Sequence, residues 1–239
     1  MNENYGLMDR RHFLNLTGTS GIALVAAVTG SAFWSIHPKQ AIADSVPPLD
    51  PDAALKRLMD GNQRFVQQKG NHPDQSKARI KEVAQAQHPF AALLCCADSR
   101  VPPEILFDEG IGDLFDIRVA GNIVTDEVLG SLEYAVDILN TPLIMVLGHE
   151  RCGAVTAAVQ GEPLPGHIGS FVKAIKPVIS KTKGESSDDP VDKAVIANVQ
   201  YQIKKLKQNS KIVSQRLLEG KLKVVGGRYD LDTGEVGLI

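Results

Sequence analysis

Phe90-Ala91-Ala92-Leu93-Leu94-Cys95-Cys96 is apolar without a break, and Ala97-Asp98-Ser99-Arg100 follows it at once. A short continuous apolar run of this kind reads as a strand buried on both faces, as in a parallel sheet covered by helices on each side. Working outward, Leu114–Val119, Pro142–Leu147 and Leu222–Tyr229 are further strand candidates. Glu235–Ile239 pairs with the last of them across the hairpin turn Asp232-Thr233-Gly234. Helical patterns separate the strands. Thr125 caps one whose stripe is Val128, Leu132, Ala135, Val136 and Leu139. Cys152–Val159 begins another, and Asp189-Pro190 opens a long helical region to about residue 219. Asp50-Pro51 starts a helix through residue 68, and a weaker one covers 75–86. Residues 161–169 and 182–190 read as loops. Alternating strands and helices give an α/β fold: a mostly parallel central sheet flanked by helices, with an N-terminal helical segment.

Composition agrees with a globular chain. Of 239 residues, 43% are hydrophobic and 23% charged, with 26 basic against 28 acidic side chains and a formal net charge of −2. A nucleic-acid-binding protein leaves a basic excess or stripe, which is absent here. Three cysteines, two of them adjacent, do not make a disulfide framework and point instead to metal or catalytic use.

Residues 1–43 read as an address. Arg10-Arg11 with Phe13-Leu14 resembles the twin-arginine export signal, an uncharged apolar stretch follows, and Ala41-Ile42-Ala43 is an A-x-A cleavage site. A retained membrane anchor is the alternative for such a stretch, but the Arg pair and the A-x-A site favour removal. The mature domain then covers 44–239, with no permanent membrane insertion. The destination expected is the periplasm, or the thylakoid lumen in a cyanobacterium.

In parallel sheets the chemistry gathers outside the carboxyl ends of the strands. One strand here runs into Cys96, Asp98 and Arg100, and another into His149 and Cys152. Two thiolates and an imidazole suit Zn²⁺, and three protein ligands leave a fourth position open, as in catalytic sites. Asp98 has two possible jobs: to complete the metal shell, or to pair with Arg100 and accept a proton. Cys95 reads as a core cysteine at a strand end.

These motifs resemble the β-class carbonic anhydrases. C-x-D-x-R stands at Cys96–Arg100 and H-x-x-C-G at His149–Gly153, with Gly112–Phe115, Arg118–Asn122 and Val224–Asp230 also similar to family segments. The resemblance spans about residues 50–239. It implies Cys96, His149 and Cys152 as ligands of one Zn²⁺ per subunit, and Asp98 and Arg100 as the catalytic dyad. It implies reversible hydration of CO2 to bicarbonate and a proton, with zinc hydroxide as nucleophile oriented by the dyad. The plant-like branch further implies a substrate pocket of Gln87, Phe115, Tyr134 and Gly153. In a regulated branch a Trp stands three residues before the first Cys and a Gly directly before it; here Leu93 and Cys95 occupy those positions, which implies Asp98 paired to Arg100 rather than bound to metal. A homodimer or higher oligomer is implied, with the helix at 50–68 as an arm across the partner; on the residues alone, a helix lying on its own domain explains the pattern as well. Carbonyl sulfide or carbon disulfide hydrolysis on the same scaffold is the rival activity. A non-catalytic zinc-stabilised homologue is the other rival, but it would need neither Asp98 nor Arg100.

Overall fold

The computed structural model describes residues 48–182 and 189–239. The expected export signal at 1–43 lies outside the described residues. Five strands form one sheet: β1 (Ala91–Cys95), β2 (Leu114–Arg118), β3 (Leu143–His149), β4 (Lys223–Tyr229) and β5 (Val236–Leu238). Their order is β2-β1-β3-β4-β5. The first four run parallel and β5 returns antiparallel to β4. Parallel neighbours need long crossovers, and helices supply them. After α1 (Pro51–Val66) and α2 (Lys77–Val83) come α3 (Pro103–Leu106) between β1 and β2, and α4 (Asp126–Asp137) between β2 and β3. Between β3 and β4 run α5 (Gly153–Gln160), α6 (Gly169–Thr182), α7 (Pro190–Asn209) and α8 (Lys211–Leu218). Among the described residues no helix is long and apolar enough to cross a membrane.

The pleat sorts the apolar runs onto two faces. Ala91, Leu93 and Cys95 join Leu143, Met145 and Leu147 against Ala54 and Leu58 of α1 and Leu106 of α3. Ala92, Leu94, Ile144 and Val146 face Val128, Leu132 and Val136 of α4, Val199 of α7 and Val213 of α8. Every residue of β1 and β3 is buried, which is why both read as unbroken apolar runs instead of alternating ones. Burying each large side chain contributes roughly 1.5–3 kcal/mol.

α1 lies on its own domain. The Asp50 carboxylate caps it by accepting from the amides of Asp52 (2.9 Å) and Ala53 (3.3 Å). Gly61 lets the helix approach the end of α3 so closely that a Cβ there would stand 1.8 Å from the Phe107 carbonyl oxygen. The neighbouring Asn62 side chain, fully buried, donates to the carbonyls of Leu106 and Gly234 (3.0 Å each) and accepts from the Val236 amide (2.9 Å). One amide thus ties α1 to both α3 and the β4–β5 hairpin.

Three helices differ from expectation. The region from 190 to 219 is two helices, because Ser210 is extended (φ −109°, ψ 114°) and its hydroxyl caps α8 by accepting from Val213 N (3.1 Å). α6 was not expected: Pro177 sits inside it and masks a stripe in which Ile175, Val178 and Ile179 are buried. α2 is shorter than the 75–86 stretch and buries none of its residues.

Strand β2 is one edge of the sheet, and Asp116 within it has an unpartnered buried oxygen, Oδ1. Burial, then the hydrogen-bonded Glu104 carboxyl of α3, push Asp116 up from 3.8 to about 8. In the unfolded chain it ionises near 3.8 while in the fold it stays protonated to about 8. Its contribution to stability is therefore fully present below pH 4 and is lost as pH rises through 8. We expect Asp116→Asn to melt about 5 °C above the wild type at pH 8 and close to it at pH 4, a difference of the size that about 2 kcal/mol produces in a domain this long. Melting curves with the same pH slope in both proteins would show that Asp116 is not the titrating group.

Candidate metal centre

Parallel pairing of β1 with β3 places Cys95 opposite Leu147. One residue further along, the chain leaves the sheet at Cys96, whereas β3 continues beside β4 through Gly148 to His149, and the chemistry begins. His149 ends β3, Glu150 and Arg151 turn the chain, and Cys152 caps α5. Arg151 takes a left-handed conformation (φ +48°) to make that turn. The result brings one ligand atom each from Cys96, His149 and Cys152 within 4.8 Å of one another, with all three residues buried. The two sulfurs are 3.9 Å apart.

The His149 ring declares its tautomer. Nδ1 lies 2.8 Å from the Glu150 carbonyl oxygen, which can only accept, so Nδ1 carries the proton. Nε2 is then a bare lone pair, wholly buried and without a protein partner. Leaving such an acceptor unsatisfied costs about 1–3 kcal/mol, which a cation at this position would remove. Two soft sulfurs and an imidazole lone pair fit Zn²⁺ by donor chemistry, and three protein donors leave room for a fourth ligand.

The two thiols are biased in opposite directions. The hydrogen bond with Cys152, joined by the Gly121 amide (3.4 Å from Cys96 Sγ), pulls Cys96 down. The same bond between the sulfurs, helped by burial, pushes Cys152 up. Gly121 is left-handed (φ +72°), and a Cβ there would stand 2.7 Å from Ile175 Cδ1.

Asp98 and Arg100 form a bidentate fork: Nε to Oδ1 at 2.9 Å and Nη2 to Oδ2 at 2.8 Å, with the Arg100 amide adding a bond to Oδ1 at 2.9 Å. The Arg100 side-chain bonds foremost hold the Asp98 carboxyl well below the usual carboxylate range. Asp98 Oδ2 stands 3.9 Å from His149 Nε2, beside the three donors. Arg118 steadies the loop from behind, donating to the carbonyls of Cys96 (3.2 Å) and Asp98 (2.5 Å). The turn carrying His149 and Cys152 is fixed to the C-terminal hairpin. Glu150 accepts from Arg228 and from the Leu231 amide (3.2 Å), and Arg151 forks onto Asp232 (2.8 and 2.9 Å).

The remaining residues singled out above divide. Gly153 opens α5 beside Cys152, exposed and with open space where a Cβ would be. Gln87 and Tyr134 line a shallow surface hollow with Val83, Gly112 and Leu139, and the Phe115 ring centre is 6.3 Å from that of Tyr134. Phe115 pairs with Ala92, four residues before Cys96, so roughly 13 Å of strand separates it from the sulfur cluster. The single chain does not bring Gln87, Phe115 or Tyr134 to the metal centre. Cys95 is in the core on the opposite sheet face, and burial first of all raises its thiol. Gly121, Arg118, Glu150 and Arg228 were not assigned roles from sequence. All four stood inside the segments similar to the family's, but only the fold shows which atoms each one meets.

Comparison with known proteins follows the same residues. A protein-family model described as carbonic anhydrase matches residues 91–236. Carbonic anhydrase 2 of Mycobacterium tuberculosis (strain H37Rv) is 41% identical over 199 residues, covering 81% of this chain and 95% of that one. A β-carbonic anhydrase of Coccomyxa, solved with acetazolamide, shares 31% identity at a TM-score of 0.63 and covers 77% of this chain and 86% of its own. A structure from work on two tetrameric β-carbonic anhydrases of Sordaria macrospora shares the fold at 22% identity and a TM-score of 0.63, over 78% of this chain and 97% of its own.

Proposed function

Since this chain belongs to the β-class carbonic anhydrase family, we propose that it hydrates CO2 reversibly to bicarbonate and a proton at a Zn²⁺ held by Cys96, His149 and Cys152. The observation that carries the reading is the buried, partnerless Nε2 of His149 within 4.8 Å of two cysteine sulfurs and 3.9 Å from the Asp98–Arg100 fork. When bound, zinc supplies a Lewis acid that lets water act as a nucleophile near neutral pH. The chain's own residues do the rest. The Nδ1–H bond to the Glu150 carbonyl fixes the ring so that Nε2 is always the ligand atom. Arg100 keeps Asp98 ionised and turned toward itself, so Asp98 would leave a coordination place free for water and substrate. With its Oδ2 3.9 Å from His149 Nε2, Asp98 would be placed to accept a hydrogen bond from the reacting water. Gly153, without a side chain, leaves the approach open.

Gln87, Phe115 and Tyr134 enter through a second copy of the chain. Exposed apolar side chains, Ile111, Tyr134 and Ile138 among them, accompany the hollow, and β2 beside it is a sheet edge. In this reading the substrate pocket is completed across an interface, and the working unit is a dimer or a multiple of one.

Stopped-flow CO2 hydration tests the activity, with sedimentation velocity run on the same sample. Fast hydration that vanishes on zinc chelation and returns with zinc is the expected result, with a sedimenting species of at least two chains. A folded, zinc-loaded protein that ignored CO2 and cleaved carbonyl sulfide or carbon disulfide would overturn it, and an active monomer would overturn the shared pocket.

A further inference from the structure

Helix α7 carries two fully buried amide side chains, Asn198 and Gln202, at positions where its neighbours Val195, Val199 and Leu206 are apolar core. Burying an amide costs free energy unless its bonds are met, and even then an apolar residue of similar size would serve packing as well. These two face one segment of chain. Asn198 Nδ2 donates to the Gly121 carbonyl (2.9 Å), and Asn198 Oδ1 accepts from Gln202 Nε2 (2.9 Å). Gln202 Oε1 accepts from the Val124 amide (2.9 Å), and one turn on Lys205 Nζ donates to the Val124 carbonyl (2.5 Å). The segment so held is the one whose Gly121 amide reaches Cys96 Sγ.

Gly121 makes this arrangement adjustable. Its left-handed backbone is the hinge between the peptide group that donates to sulfur and the one that accepts from Asn198. The peptide group on the Gly121 carbonyl side is held by the turn bond from the Asn122 amide to the Val119 carbonyl (2.9 Å) and by Asn198, so the amide pair shares in fixing the angle of the donating N–H. A hydrogen bond to a buried thiolate spreads its charge and weakens it as an electron donor, so the angle of this N–H matters to whatever Cys96 binds.

We propose that Asn198 and Gln202 are positioning residues that aim the Gly121 amide at Cys96 and so set the donor strength of that sulfur toward the metal. The proposal rests on the reading of Cys96, His149 and Cys152 as a metal centre. Its test uses the full chain with Co²⁺ in place of zinc, followed by the sulfur-to-cobalt charge-transfer band, and with zinc affinity measured by competition against a chromophoric chelator. Asn198→Leu should move the band to longer wavelength, because a sulfur relieved of its hydrogen bond donates more strongly, and should still weaken zinc binding about 10–100-fold, because losing the group that orients the ligand costs more affinity than the stronger donor returns. Gln202→Glu keeps an acceptor for Val124 but loses the donor to Asn198; it should shift the band in the same direction and serves if Asn198→Leu does not fold. Asn62→Ala, which removes an equally buried amide whose bonds go to α3 and the C-terminal hairpin and not to the Gly121 segment, should lower the melting temperature and leave the band alone. A wild-type band and affinity in both α7 variants would overturn the proposal. Failure of the wild type to bind Co²⁺ or Zn²⁺ at all would instead overturn the metal centre.

Discussion

Cys152→Ala is expected to lose its zinc, its CO2 hydration and roughly 10 °C of melting temperature together. The sulfur is buried and lies 3.9 Å from that of Cys96. Removing it leaves a sulfur and one imidazole, too few to hold the ion against a chelator. Binding to the folded chain alone stabilises by RT ln(1 + [L]/Kd), about 4 kcal/mol at a thousandfold excess over Kd, and the variant forfeits that increment. At 2–4 °C per kcal/mol for a chain of this size, the expected loss follows. Zinc content by mass spectrometry and calorimetric melting, with and without chelator, separate the parts. Wild type after chelation should melt near the variant. Cys95→Ala is the control: its side chain lies on the other face of β1, so zinc and activity should persist. A Cys152→Ala protein that kept one zinc per chain would refute the ligand set.

How much of this was legible in the sequence depended on the range of the interaction. Strands β1 and β3 could be read because burial on both faces leaves a continuous apolar run, a purely local signature. The Cys96, His149 and Cys152 cluster could be read because two such runs end in Cys, His and Cys, and adjacent parallel strands end side by side. The break at Ser210 was also local, a serine that caps the next helix, but long apolar spacing on both sides hid it. Helix α6 was missed because Pro177 argues against a helix interior, and packing of Ile175 and Ile179 around the site outweighs that preference. What sequence could not offer was any bond set by tertiary approach. The Glu150–Arg228 pair spans 78 residues and the Asn198–Gly121 bond 77, and neither end carries a mark of the other. The same would hold for Gln87, Phe115 and Tyr134, which the proposed function places in a pocket completed by a second molecule.

Asp98→Asn should keep its zinc and lose about 10²–10³-fold in kcat, the usual yield of a positioned proton acceptor. The substitution keeps the shape of the side chain, so a defect belongs to the lost charge and not to a cavity. Asparagine still accepts one bond from Arg100, but its amide nitrogen repels the second guanidinium N–H and accepts no proton. The pH behaviour identifies the role. Because Arg100 holds Asp98 well below the ordinary 3.8, the carboxylate is ionised throughout the neutral range and does not itself set a midpoint there. The variant's rate should therefore be depressed by a constant factor across pH 6–9, with the inflection unmoved. Stability gives an independent sign: a depressed carboxylate contributes above its unfolded pKa and stops contributing as pH falls through the folded one. Asp98→Asn should thus melt lower than wild type at pH 7, and the gap should narrow toward pH 2. Full activity at intact zinc content would show that the Asp98–Arg100 fork is a surface ion pair, and the oriented-water role would have to pass to another group. A shifted inflection with an unchanged plateau would assign Asp98 to the titration itself, which the bidentate geometry at 2.8 and 2.9 Å argues against.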